Sequence, residues 1–333
     1  MQTLLNPAAV ARLSNLQLKA HAVVEGFLTG LHQSPYHGFS VEFAQHRPYM
    51  PGDSLKHLDY KVLGKTGRYY IKQFEEETNL KAYILVDHSG SMGFGSKLLE
   101  SGLKVRSKSD QTPPSNDSGF TGVHRDAHTA NFSQQTPISK LDYSTCLAAA
   151  ISLLLLKQRD AVGLVTFAES LSSILPPKST MGWLGPLTTQ LQSLQPLGKT
   201  KVASALFDVA ERVKRRGLVV LISDLLDNPE ETLAAMKAVR HVGHELLVFH
   251  VLDPLEVTFD FPRDAKFKDL ETAELLPTRP HHIRQAYREE MGKVLEYYKH
   301  GCSGGRIDYR LFTTDVPYEV ALFEFLARRK RMK

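Results

Sequence analysis

Apolar positions along this chain fall into short dense runs separated by longer stretches in which they recur at helical spacing. Residues 83–86, 161–167, 218–222 and 245–253 are runs of Val, Ile, Leu, Phe and Tyr with few polar interruptions, as expected for strands covered on both faces. Between and after them, residues 140–158, 181–194, 202–213 and 229–241 place apolar residues three and four apart, and Pro229 sits in the first turn of the last. Alternating strand and helix units predict a mostly parallel sheet with helices on both faces. Residues 171–175 read as a short edge strand, 281–300 as a helix, 307–312 as a last strand and 317–327 as a closing helix.

The chain before this alternation is patterned differently. Residues 7–31 carry Val10, Leu13, Leu16, Val23, Val24, Phe27 and Leu28 at helical spacing, which predicts one or two helices. Residues 38–77 alternate (Phe39, Val41, Phe43; Tyr69, Ile71) around turn signals at Pro51-Gly52-Asp53 and from Gly64 to Gly67. The division this predicts is a helical and β-rich appendage over 1–79 and an α/β domain over 80–333. Arg47, Asp53, Asp59, Lys61 and Arg68 are read as charges that dock the appendage rather than as a catalytic cleft. Residues 255–276, with Val257, Phe259, Phe261 and Phe267, suggest a hairpin-like excursion.

One segment breaks the rhythm. Residues 101–136 are dense in Ser, Asp, Thr, Asn, Gln and Pro and lack a periodic apolar face, so they are expected to form a disordered insertion that serves as a spacer. His124 and His128 within it, and His281-His282 further on, are read as solvated rather than metal-binding.

Composition narrows the class. With 333 residues and 42% hydrophobic content the chain can bury a sizeable core without staples. Its two cysteines, Cys146 and Cys302, suggest neither a disulfide framework nor a thiolate metal site. The first fifteen residues lack the character of a signal peptide and no apolar run is long enough to span a bilayer, so a cytoplasmic protein without a transmembrane segment is expected. The net charge of +5 resides in Arg328, Arg329, Lys330, Arg331 and Lys333, a solvated end rather than a nucleic-acid arm.

The chemistry is concentrated at strand ends. The run 83–86 stops at Asp87, followed by Ser89 and Ser91, a D-x-S-x-S loop whose carboxylate and hydroxyls are hard oxygen donors suited to Mg²⁺ or Mn²⁺. Thr200 lies in a loop before the helix at 202–213, and the run 218–222 continues through Ser223 to Asp224. Strand-end Asp and Ser also cap helices and shape turns, which is the plainer reading of each taken alone. A nucleophile elbow needs G-x-S-x-G, and the residue two before Ser91 is Ser89.

Taken together, Asp87, Ser89, Ser91, Thr200 and Asp224 resemble the metal-ion-dependent adhesion site of von Willebrand factor A domains. His46-Arg47-Pro48-Tyr49, Pro51-Gly52-Asp53, Leu58-Asp59-Tyr60-Lys61 and Phe74-Glu75-Glu76-Glu77-Thr78-Asn79-Leu80 resemble one bacterial branch, domain of unknown function 58, whose members are often encoded beside MoxR-type AAA+ ATPases. Tyr60, where many relatives carry Trp, is a departure, and so is the insertion. The resemblance implies a von Willebrand A/Rossmann-like doubly wound sheet. It also implies a metal-dependent protein-interaction module that meets an acidic side chain of a partner, a MoxR-type ATPase or its client, in chaperoning or maturation. The enzyme alternative is a metal-assisted hydrolase, for which His88 is the nearest base, but as the x of the motif it is expected to point away.

Overall fold

Strand β3 (Lys81–Asp87) is apolar on both sides because it lies inside a six-stranded sheet, and both sides are covered. The other strands are β4 (Ala161–Phe167), β5 (Leu171–Lys178), β6 (Leu218–Ser223), β7 (Glu245–Leu252) and β10 (Asp308–Thr313). Their order is β10-β7-β6-β3-β4-β5, parallel throughout except for β5, which is antiparallel at one edge. A computed structural model describes residues 7–33, 45–48, 50, 60–73, 80–95, 138–261, 267–268, 275–276 and 280–332. It gives the doubly wound, mostly parallel α/β architecture that the pattern predicts.

Alternation along each strand divides the core. Ala82, Ile84 and Val86 of β3, Val220 and Ile222 of β6, and Leu247, Phe249 and Val251 of β7 face one layer. That layer is formed by helices α1 (Pro7–Ala11), α2 (Leu16–Gln33), α4 (Lys140–Lys157), α5 (Leu184–Gln192) and α10 (Tyr318–Met332). Leu85, Val219, Leu221, Leu246 and Val248 face the other, built on α6 (Val202–Arg212), α7 (Pro229–His241) and α9 (Pro280–Gly304). Helix α4 runs through the first layer as an almost wholly buried rod, its start fixed by a capping box between Ser139 and Asp142. The N-terminal helices share this layer through Val10, Leu16, Ala20, Val23, Val24 and Phe27.

Several local expectations change. Residues 60–66 form helix α3 (Tyr60–Thr66), which runs through Gly64; the turn comes at Gly67, whose φ of +67° suits a helix end. It links β1 (Gln45–Pro48) and β2 (Tyr70–Gln73), which pair antiparallel. The segment from 255 opens as a short helix, α8 (Pro254–Thr258), before the small antiparallel pair β8 (Phe267–Lys268) and β9 (Leu275–Leu276). Asp253 and Glu256 make a capping box there with Pro254 at the first position, which outweighs the alternating apolar pattern. Strand β5 extends through Pro176 and Pro177, tolerated because it is an edge. The helix expected over 181–194 divides into a 3-10 turn, Met181–Trp183, and α5.

Phe39, Val41, Phe43, Asp53, Asp59, the side chains of Arg47 and Lys61, and residues 101–136 lie outside the described residues. Cys146 and Cys302 are both free and buried. Among the described residues no helix is long and apolar enough to cross a membrane.

The two ends of the stretch between 95 and 138 meet. Lys140 N donates to Phe94 O at 2.9 Å, and a Cβ on Gly95 would lie 2.6 Å from Ile138 O, so only glycine fits that approach. Deleting residues 102–135 is therefore expected to leave the melting temperature nearly unchanged, because the ends are already joined and the closure entropy between joined ends changes only slowly with chain length. Calorimetric melting of the deletion variant checks this, and a large loss would show that the segment packs on the core.

Candidate functional site at the carboxyl edge of the sheet

Because β3 and β6 are parallel neighbours with Val86 opposite Ile222, the two strands deliver their terminal residues to one edge. Asp87 closes β3, and Asp224 follows Ser223 at the end of β6. Ser223 Oγ donates to Asp87 Oδ2 at 2.6 Å, while Ser89 N donates to Asp87 Oδ1 at 2.8 Å and so shapes the D-x-S-x-S turn. Ser89 Oγ lies 3.1 Å from Ser91 Oγ, which lies 3.2 Å from Thr200 Oγ1 and is near enough to the Asp224 carboxylate to favour its charged form. The five residues singled out in the sequence thus form one connected oxygen cluster, with both carboxylates fully buried.

Backbone bonds hold the loops. Gly90 N donates to Gly198 O and Leu197 N to His88 O, each at 2.9 Å, so the D-x-S-x-S loop and the Thr200 loop form a single unit. Gly198 takes a φ of +75°, a conformation that favours glycine and that brings its carbonyl to Gly90. His88 turns outward as expected: Nδ1 meets Gln195 O at 3.2 Å and Nε2 meets Ser172 Oγ at 2.8 Å. With Nδ1–H donating to the carbonyl, Nε2 accepts from the serine, and both ring nitrogens are engaged away from the hydroxyl cluster.

The two aspartates have opposite electrostatic surroundings. Burial pushes Asp87 up from 3.8 to about 7, reinforced by the nearby Asp224 and only partly offset by the bonds from Ser223 and Ser89. Burial acts on Asp224 as well, but Lys140 outweighs it and holds that carboxyl below its ordinary value. Lys140 Nζ stands 2.7 Å from Asp224 Oδ2 and 2.6 Å from Glu256 Oε1, its side chain wholly buried. Burial alone would lower the ammonium pKa; the two carboxylates raise it instead. Behind them His250 Nε2 donates to Asp224 O at 2.7 Å while Nδ1 accepts from Tyr309 at 2.7 Å, and burial lowers the ring to about 4.

Ser223, Lys140, Glu256 and His250 were not singled out by the sequence reading. Lys140 left a faint sign, since a cation in the first turn of a helix opposes the helix dipole and so calls for a partner elsewhere. The other three are ordinary strand or capping residues until the sheet order is known.

Chemically, the cluster offers two carboxylates and three hydroxyls, a hard all-oxygen donor set that fits Mg²⁺ or Mn²⁺. Among the described residues no group of three or more His, Cys, Asp or Glu side chains gathers as a metal site.

The buried groups make a pH prediction for protein in chelator. Asp87, raised to about 7, favours folding below 3.8 and loses that contribution as pH rises toward 7. His250, lowered from 6.5 to about 4, acts in the opposite sense, losing stability as pH falls from 6.5 toward 4. Their effects overlap and largely cancel. Asp87→Asn should remove the strongest opposing limb and leave stability rising with pH between about 4 and 6.5, driven by His250 and reduced by Asp253 and Glu256, whose carboxyls burial also raises. Denaturant titrations across that range check it; identical profiles for variant and wild type would contradict it.

Comparison with known proteins adds a family. The family described as Protein of unknown function DUF58 matches residues 45–105 and 124–295. An uncharacterized protein of Mycobacterium bovis is 24% identical over 340 residues, covering 98% of this chain and 91% of that protein, and one of Mycobacterium tuberculosis matches to the same extent. Among solved structures, a conserved hypothetical protein BatB from Bacteroides thetaiotaomicron aligns with a TM-score of 0.41 at 17% identity, over 75% of this chain and 99% of that one. An aerotolerance-related membrane protein from Bacteroides fragilis aligns with a TM-score of 0.38 at 18% identity, over 73% and 94%.

Proposed function

The chain belongs to the DUF58 family, and from that premise we propose that it is a metal-dependent protein-interaction module whose strand-end site binds Mg²⁺ or Mn²⁺ and meets an acidic side chain of a partner. One observation carries the reading. Asp87 is fully buried and hydrogen-bonded to neutral groups, with Asp224 as its charged neighbour, so its ionised form calls for a cation. A hard divalent ion supplies that charge and keeps a coordination position for an external carboxylate.

The chain's own residues do the remainder. Asp87 anchors the ion, Ser89, Ser91 and Thr200 direct their hydroxyls toward it, and Asp224 completes the set directly or through water. Exposed Lys199 and Lys201 flank Thr200 and would draw an acidic partner to the edge. The partner implied by the family resemblance is a MoxR-type AAA+ ATPase or its client, met in the cytoplasm, in chaperoning or maturation of other proteins. The metal-assisted hydrolase is the weaker reading, because the base nearest the loop, His88, has both nitrogens bound elsewhere.

The test is retention of a MoxR-type ATPase on immobilised protein in Mg²⁺ and in chelator. Binding should fall in chelator, and Thr200→Ala should weaken it while the domain stays folded. Equal retention with chelator and with Asp87→Ala would place the interface elsewhere, and metal-dependent turnover of ester or nucleotide substrates lost on His88→Ala would favour the hydrolase.

A further inference from the structure

Lys140 is the first residue of α4, and both its backbone and its side chain are fixed. Its N–H is held by Phe94 O, and its buried Nζ lies between Asp224 Oδ2 at 2.7 Å and Glu256 Oε1 at 2.6 Å. Glu256 cannot readily follow another cation, since its Oε2 accepts from Asp253 N at 2.8 Å within the capping box of α8. The ammonium therefore reaches Asp224 from the first turn of α4, at a carboxylate the proposed metal site shares. Asp224 and Glu256 share this one ammonium, while Asp87, the other carboxylate of the site, has the Asp224 carboxylate as its charged neighbour.

We propose that Lys140 is a built-in counter-ion that competes with the divalent metal for Asp224 and thereby sets the affinity of the site. This rests on the metal-binding reading given above. With Asp224 held by the ammonium, the ion is neutralised mainly by Asp87, which leaves it a surplus of positive charge for a carboxylate from outside. Lys140 is a positioning residue and touches neither the ion nor the partner. Loss of its charge releases Asp224 to the metal, and loss of Glu256 does the reverse, because the ammonium then has one anion to serve instead of two.

The two changes therefore predict opposite shifts in Mg²⁺ affinity, which a merely structural role would not produce. By titration calorimetry with Mg²⁺ alone, Lys140→Met should bind about tenfold more tightly than wild type, and Glu256→Gln several-fold more weakly, because a unit charge added to or removed from the buried surroundings of Asp224 acts in a poorly screened interior. Thermal melting gives a second reading: Lys140→Met should melt lower than wild type in chelator and recover a larger share of the gap in Mg²⁺. If Lys140→Met does not fold without metal, Glu256→Gln carries the test, since it retains the ammonium. Equal or reversed affinity shifts in the two variants, with wild type binding Mg²⁺, overturn the role of Lys140 alone. A wild-type chain that binds neither Mg²⁺ nor Mn²⁺ overturns the metal reading itself.

Discussion

Replacing Asp87 with alanine is expected to abolish Mg²⁺ and Mn²⁺ binding while the chain stays folded. Asp87 is the sole carboxylate of the D-x-S-x-S loop, and Asp224 is already neutralised by Lys140, so no second acid can take over the anchoring position. Stability should respond in an unusual way. At pH 8 in chelator the wild type holds Asp87 ionised, buried and without a cation, which costs it stability that the alanine variant escapes. The variant loses the hydrogen bonds from Ser223 and Ser89, which opposes this gain, so its melting temperature should stay within a few degrees of wild type. In saturating Mg²⁺ only the wild type should gain. Titration calorimetry with equal heats for the two proteins would remove Asp87 from the site.

The largest loss of stability is expected from Phe249→Ala, about 3–5 kcal/mol. Phe249 is fully buried in β7, next to the strand that carries Asp224, with its ring 5.4 Å from that of Phe312 on β10. Truncation leaves a void between two parallel strands and the helices above them, a region with little freedom to collapse. Denaturant unfolding measures the change, and a loss below about 1 kcal/mol would mean that this layer is far looser than its burial suggests. Mg²⁺ affinity should survive in the fraction that remains folded, because the change lies in the layer beneath the site.

The sheet was legible in the sequence because burial on both faces makes each central strand apolar without interruption, as in β3, β4, β6 and β7. The five candidate residues were legible for a related reason, since each polar group stands where such a run stops or where a helix is about to begin. What stayed hidden depends on neighbours in space. Ser223 matters because β6 lies beside β3 and thereby meets Asp87 across 136 positions of sequence. Lys140 and Glu256 meet across 116, a contact that no local spacing encodes. The helices at 60–66 and 254–258 were missed where glycine and an alternating apolar pattern suggested turns and strands. A capping box prevailed in the second, while the first, with Tyr60, Val62, Gly64 and Thr66 among its seven residues, has no helix-favouring composition to announce it.

The pair of main-chain bonds between residues 88–90 and 197–198 has a consequence for anyone who re-engineers this chain. Such bonds are indifferent to side-chain identity, so Gln195, Pro196 and Leu197 can be rewritten to alter what the rim recognises without loosening the cluster beneath. Length is another matter. A single residue inserted between 195 and 200 would slide one loop against the other, carry Thr200 away from Ser91, and undo a geometry that substitution at 195–197 alone would leave intact.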